Sequence, residues 1–174
     1  MSCDDFDFTA ITTPHYQRNR QSGLPGQLQL IINDTTEIDY GSQRQAAGLS
    51  RVGNNSGRGF FLHSALLRDP QSQEVLGLVG QEIYYRQPQL SPAAKNSRRR
   101  DPNRESAVWG RLIEQVGSPP PEVKWLHVCD RGADDYEVYC RAFLQKCGWV
   151  VRACRLNRLI HTNEGAQVSL EQHL

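Results

Sequence analysis

The sequence predicts an α/β protein built on one mixed β-sheet covered by helices. Two observations lead there. Three strand-like apolar segments come first, two of them joined by a short turn, and the rest of the chain alternates helix, strand, helix, strand. In addition, "LQLIIND" and "VKWLHVCD" both run a strand-like apolar segment straight into an aspartate.

Residues 1–27 are polar and are interrupted by Pro14, Gly23, Pro25 and Gly26, which reads as a loop-rich lead-in. The first strand covers 28–34, with Leu28, Leu30, Ile32 and Asp34 on one face because strand side chains alternate. A polar segment ending in "GNNSGRG" follows. "FFLHSALLRD" (60–69) and "VLGLVGQEIYYR" (75–86) are two further strands, and the turn opened by Asp69-Pro70 makes them an antiparallel hairpin. After the linker "QPQLSPAAKNSRRR", Asp101 and Pro102 offer a helix start. Val108, Trp109, Leu112, Ile113 and Val116 recur at helical spacing, and Gly117 with Pro119 to Pro121 ends that helix.

The fourth strand is "VKWLHVCD", with Leu126, Val128 and Asp130 on one face. The next helix has an apolar stripe of Tyr136, Tyr139, Cys140, Phe143, Leu144 and Cys147. Asp134 and Glu137 suit a capping box there, and Gly148 suits the left-handed position after the last turn. "WVVRACR" is the fifth strand, and the tail from Asn157 carries no clear element. One core domain over 28–156 and a short tail over 157–174 result. In this order the first and fourth strands lie side by side, so Asp34 and Asp130 meet at their carboxyl ends, where open α/β sheets place their sites.

Composition sets the outer limits. Apolar content of 38%, mean hydropathy of −0.60 and net charge of +1 describe a globular protein whose basic surface must come from local clusters. The five cysteines form no C-x-x-C pair, which points to a reducing compartment, and the His127/Cys129 spacing fits no zinc framework. The start lacks a signal sequence and no apolar run approaches membrane-spanning length, so the expected location is cytoplasmic, without a membrane partner.

"LIINDTTEIDYG", "GRGFFLHSALL", "VLGLVGQEIYYR", "RESAVW" and "CDRGAD" follow one another in an order that resembles the bacterial insertion-sequence transposases of the IS-four kind, over residues 28–158. That resemblance implies a ribonuclease-H-like catalytic core and cut-and-paste DNA transposition. It assigns Asp34 and Asp130 as two members of an Asp-Asp-Glu triad that binds two Mg²⁺ (or Mn²⁺) ions. It also implies a nucleoid-associated location, with transposon-end and target DNA and a homodimer with full-length transposase as partners. Two ions about 3.5–4 Å apart activate the attacking oxygen of a phosphodiester exchange and stabilise the leaving one, and carboxylates are the hard ligands Mg²⁺ prefers.

The third acid departs from the family. None of the six tyrosines starts a Tyr-x-x-Arg-x-x-x-Glu pattern, and the chain ends 44 residues past Asp130 (174 − 130). The family's amino-terminal DNA-binding domain has no counterpart in the 33 residues before Asp34. The resemblance therefore implies a core over 28–156, truncated at both ends, that lacks its last acidic helix and is inactive alone, with 157–174 the start of a truncated insertion or a tail. Glu164 is the substitute acid for a stand-alone nuclease, with Glu171 a weaker one; a non-catalytic DNA- or transposase-binding module is the other alternative.

"KNSRRRDPNR" places Lys95, Arg98, Arg99, Arg100 and Arg104 together, a charge cluster suited either to a phosphate backbone or to a solvated loop. Arg58, Arg152, Arg155 and Arg158 are further DNA candidates. The glycine-rich loop lacks the Gly-Lys-Ser/Thr ending of a P-loop, so no nucleotide cofactor is expected. His63, Trp109 and Trp125 read as packed residues, and Trp149 as packed or able to stack on a base. Glu82 and His63 recur in the family, and the sequence gives Glu82 no role.

Overall fold

The computed structural model describes residues 7–43, 47–87 and 101–174. The expected mixed sheet forms from β1 (Leu28–Asp39), β2 (Ser50–Val52), β3 (Gly57–Arg68), β4 (Val75–Tyr84), β5 (Lys124–Cys129) and β6 (Gly148–Val151). Its order is β2-β3-β1-β5-β6, with β4 also on β3. The pairs β1–β3, β2–β3 and β3–β4 are antiparallel, whereas β1–β5 and β5–β6 are parallel. β1 runs past Asp34, where its apolar pattern stops, because β3 continues to pair with it as far as Asp39↔Gly59.

The helices are α1 (Phe8–Arg20), α2 (Val108–Val116), α3 (Tyr136–Leu144) and α4 (Leu170–His173). Helix α1 corrects the loop-rich reading of 1–27. Asp7 caps it by accepting from Ala10 N at 2.6 Å, and it holds despite Pro14 because tertiary bonds override propensity. Asn19 Nδ2 donates to Leu78 O (2.8 Å), Arg20 Nε to Val79 O (2.7 Å) and Tyr16 Oη to Gln81 Oε1 (2.9 Å). The helix thus covers the outer edge of β4, an edge that would otherwise offer unpaired backbone groups. Gly77 permits that approach, since a Cβ there would lie 2.4 Å from Asn19 Nδ2.

Three local expectations are also corrected. Helix α2 begins after a 3-10 turn, Glu105–Ala107, while Asp101 forms its own turn by accepting from Asn103 N. The cap of α3 is Asp135, which accepts from Glu137 N, and not Asp134. Lys146 (φ 59°) takes the left-handed position, and Gly148 enters β6, where a Cβ would meet Leu126 Cδ1 at 2.9 Å. The tail, which shows no clear element in the sequence, folds as the hairpin β7 (Leu159–His161) and β8 (Gln167–Ser169) followed by α4. Gly165 (φ 82°) supplies the turn that its short apolar pattern concealed.

Helices cover one sheet face. Both core clusters draw their strand residues from odd positions, including Ile31, Ala65, Leu67, Trp125 and Cys129, packed under Leu112, Val116 and Ile113 of α2. The even positions Leu30, Ile32, Leu62, Leu66, Leu126 and Val128 are only half-buried. Asp34 lies on this second face.

The apolar stripe expected to bury α3 is only partly buried: Cys147, just past the helix, is in the core and Tyr139 and Cys140 are half-buried, but the other three residues face outward. Tyr136, Phe143 and Leu144 are 76%, 72% and 72% exposed, and the buried residues are Val138 and Ala142. The short side of α3 packs on α2, with Arg141 crossing Gly110 and ion-paired to Glu114, and Arg104 and Arg141 both paired to Glu137. Small residues permit a closer helix contact than the aromatic side could, so the aromatic side is left outside.

Asp134, freed from capping, ties this helix to the chain beyond β6. Its side chain is 1% exposed and ion-pairs with Arg158 at 2.6 Å. It also accepts from Tyr139 Oη (2.7 Å), Cys154 N (2.7 Å) and Arg155 N (2.8 Å). Burial opposes its ionisation, but these four partners together hold the carboxyl well below the usual carboxylate range.

Two outcomes follow for stability. Asp134→Ala leaves the half-buried Arg158 guanidinium without its counter-charge and the Cys154 and Arg155 amides without their acceptor, and costs about 3–5 kcal/mol in urea unfolding. On α3, Phe143→Lys or Leu144→Lys changes stability by less than about 0.5 kcal/mol, whereas Ala142→Leu costs about 1–3 kcal/mol by overpacking. A reversed order in chemical denaturation would mean that α3 is turned the other way.

Candidate active site

The parallel ladder of β1 with β5 ends on Asn33↔Cys129, so the next residues, Asp34 and Asp130, stand beside each other. Asp130 keeps extended backbone angles (φ −78°, ψ −172°), which continues the alternation of Leu126 and Val128 and turns its side chain to the face of Asp34. Both aspartates are exposed. Asp34 Oδ1 accepts from Thr35 N (2.8 Å), and Asp130 Oδ1 accepts from Gly132 N (2.6 Å), capping a 3-10 turn at Arg131–Ala133. One oxygen of each carboxylate is thus fixed by backbone. The other makes no hydrogen bond among the described residues.

Behind this pair, on the helix side of the sheet, lies a buried polar layer. His63 Nδ1 bonds Thr35 Oγ1 at 2.8 Å, with its ring edge-on to Trp109 at 4.3 Å. Asn33 Nδ2 lies 3.1 Å from His127 Nδ1, and Trp125 Nε1 donates to Gln29 Oε1 at 2.9 Å. Burial pushes the His63 imidazole down to about 4, despite the opposing charges of Asp34 and Asp130, and pushes His127 down to about 4 as well. Both rings are therefore neutral at pH 7. Burial, with some help from Asp130, pushes the Cys129 thiol up to about 12, which disfavours a thiolate ligand there.

Glu82, left without a role by the sequence, lies opposite His63 on β4 and ion-pairs with Arg111 of α2. Arg111 Nε donates to it at 2.9 Å. The pair ties α2 to the sheet near the aspartates. Arg111 was missed because an exposed-looking helix arginine carries no signal for a partner on another element.

Neither substitute acid joins the pair. Glu164 is exposed in the β7–β8 turn and Glu171 is exposed on α4. Among the described residues, no group of three or more His, Cys, Asp or Glu side chains is placed to hold a metal ion.

The expected DNA contacts divide. Lys95, Arg98, Arg99 and Arg100 lie outside the described residues. Arg104 is spent on Glu137, and Arg158 on Asp134 and the Tyr139 ring, so both serve the fold. Arg155 is 58% exposed and 3.7 Å from Asp135, and Arg152 is exposed. Arg58 borders a cavity of about 800 Å³ that Arg51 and Arg86 also line. Those two were missed, although Arg51 and Arg58 flank the "GNNS" turn symmetrically in "RVGNNSGR". Trp109 and Trp125 are core residues, and Trp149 stacks on Tyr139 at 5.9 Å.

No family model matches the chain, and no curated protein is significantly similar to it. Among the described residues, no helix is long and apolar enough to cross a membrane.

Two buried neutral histidines make stability depend on pH. The unfolded chain binds protons near pH 6.5 and the folded one only near pH 4, so stability falls as pH drops through that window. Each site contributes a slope of up to about 1.4 kcal/mol per pH unit. Urea unfolding at pH 7 and pH 4.5 should show the loss, and His127→Gln should reduce it; equal stability at both values contradicts neutral burial.

Proposed function

We propose that this chain is the catalytic-core portion of a metal-dependent DNA transposase with a ribonuclease-H-like fold. The observation that carries the reading is the parallel β1–β5 register, which sets Asp34 beside Asp130 on the sheet face opposite α2. The mixed sheet, with two parallel strands following an antiparallel set, is compatible with that fold family. The order of the sequence motifs supplies the family assignment.

The residues present fit a hard divalent cation in part. Two exposed carboxylates, each with one oxygen that makes no hydrogen bond among the described residues, are suitable Mg²⁺ or Mn²⁺ ligands. Bound ions of this kind polarise a phosphodiester and stabilise its leaving oxygen. Asp34 and Asp130 would hold the metal, and the backbone amides of Thr35 and Gly132 orient their carboxylates. Two acids are too few to fix a pair of ions, so the isolated chain binds metal weakly and does not cleave DNA. A stand-alone nuclease completed by Glu164 has less support, because that residue sits in an exposed hairpin turn.

Calorimetric titration of the chain with Mn²⁺ tests this directly. The expected result is weak binding that Asp34→Asn and Asp130→Asn each reduce about tenfold or more, with no nicking of plasmid DNA by any form. Equal Mn²⁺ affinity in wild type and both variants contradicts the assignment.

A further inference from the structure

The hairpin of β2 and β3 pairs Arg51 directly opposite Arg58. Like charges facing each other across a ladder are destabilising, and neither arginine forms an ion pair with a described residue. Arg58 Nε is buried without a hydrogen-bond partner, which is costly for a group that is always charged. A third guanidinium comes from the segment after β4. Arg86 N donates to Ser50 Oγ (3.1 Å), its Nη1 reaches Gly53 O (3.3 Å), and its guanidinium lies over the Phe61 ring at 4.9 Å. All three line the cavity of about 800 Å³, and Glu105, whose Oε1 accepts from Gln87 N, is the one acid among the described residues of its lining.

We propose that this cavity is an anion site that binds a phosphate group between Arg51, Arg58 and Arg86. The arginine fork matches phosphate oxygens in pairs, and an anion there would neutralise the facing charges and satisfy the orphaned Nε. The phosphate has two sources to distinguish, a DNA backbone or a free phosphorylated molecule. The position favours DNA. Arg58 shares the sheet face of Ser64, the β3 partner of Asp34, and six residues of strand separate them by about 20 Å. A DNA strand running along β3 from the aspartates reaches the cavity. That choice of source rests on the transposase reading; the anion chemistry does not.

The test uses the whole chain in metal-free buffer, with wild type, Arg51→Gln and Arg58→Gln compared in two measurements. The first is thermal unfolding with inorganic phosphate replacing chloride at constant ionic strength. Phosphate raises the wild-type Tm more than that of either variant, and without phosphate the variants melt no lower than wild type, since each removes a like-charge contact. A stabilising structural role for these arginines would instead lower the Tm of both. The second is the anisotropy of a labelled DNA duplex across a salt series, where each variant loses about tenfold in affinity and about one unit of salt slope.

Equal phosphate responses in all three proteins, with unchanged duplex binding, overturn the site. A phosphate response confined to wild type with duplex binding unchanged keeps the anion site and assigns it to a free phosphorylated molecule. Since no metal is present, neither result depends on Asp34 or Asp130. Failure of the transposase reading would appear separately, as metal affinity insensitive to Asp34→Asn.

Discussion

The register of β1 is the constraint on which the rest depends. β1 is held on one side by β3, antiparallel, and on the other by β5, parallel. A strand has a period of two, so a slip of one residue exchanges its faces completely. Apolar pattern alone pins this strand weakly, because Leu30, Ile31 and Ile32 would suit either face. Its buried polar side chains do more. Gln29 meets Trp125, Asn33 meets His127 and Thr35 meets His63, each across to a different strand or register position. A slipped β1 would strand several of these groups in the core without partners, at roughly 1–3 kcal/mol each. The same parity that buries them sends Asp34 to the open face.

The uneven covering of the sheet follows from how the helices settle. α2 packs over the odd-numbered side chains, and α3 packs on α2 through Val138 and Ala142 rather than spreading across the sheet. The cost is an aromatic face of α3 in solvent. The gain is that both aspartates, on the even-numbered face, stay exposed. Asp134 then anchors the chain past β6 through a buried network that needs no apolar contact.

How much of this was legible in the sequence depended on the range of the contacts involved. The five principal strands and α2 were readable because their patterns are local: alternation in 60–67 and 124–129, and helical spacing from Val108 to Val116. The adjacency of Asp34 and Asp130 was also readable, since strand order and parallel pairing follow from the connections. Helix α1 was not, because its stability comes from Asn19 and Arg20 bonding a strand about 59 residues away in sequence. The outward turn of α3 was hidden because periodicity reports that a helix has an apolar side, not which side a neighbour can approach. Asp134 reads as a cap because it is one residue from the true cap, and its partners at Cys154, Arg155 and Arg158 are distant in sequence. The arginine cavity was hidden in a similar way, with Arg86 arriving from beyond a separate strand.

The central claim is that Asp34 and Asp130 act together as one cation site on the open face. Amide NMR of the chain during addition of substoichiometric Mn²⁺ tests it most directly, because paramagnetic broadening reports position as well as affinity. The account predicts that the signals of Thr35, Ser64, Arg131 and Gly132 disappear together and first, while those of the Thr162–Gly165 turn stay sharp. Broadening centred on Glu164, or scattered evenly over the exposed acids, would contradict it.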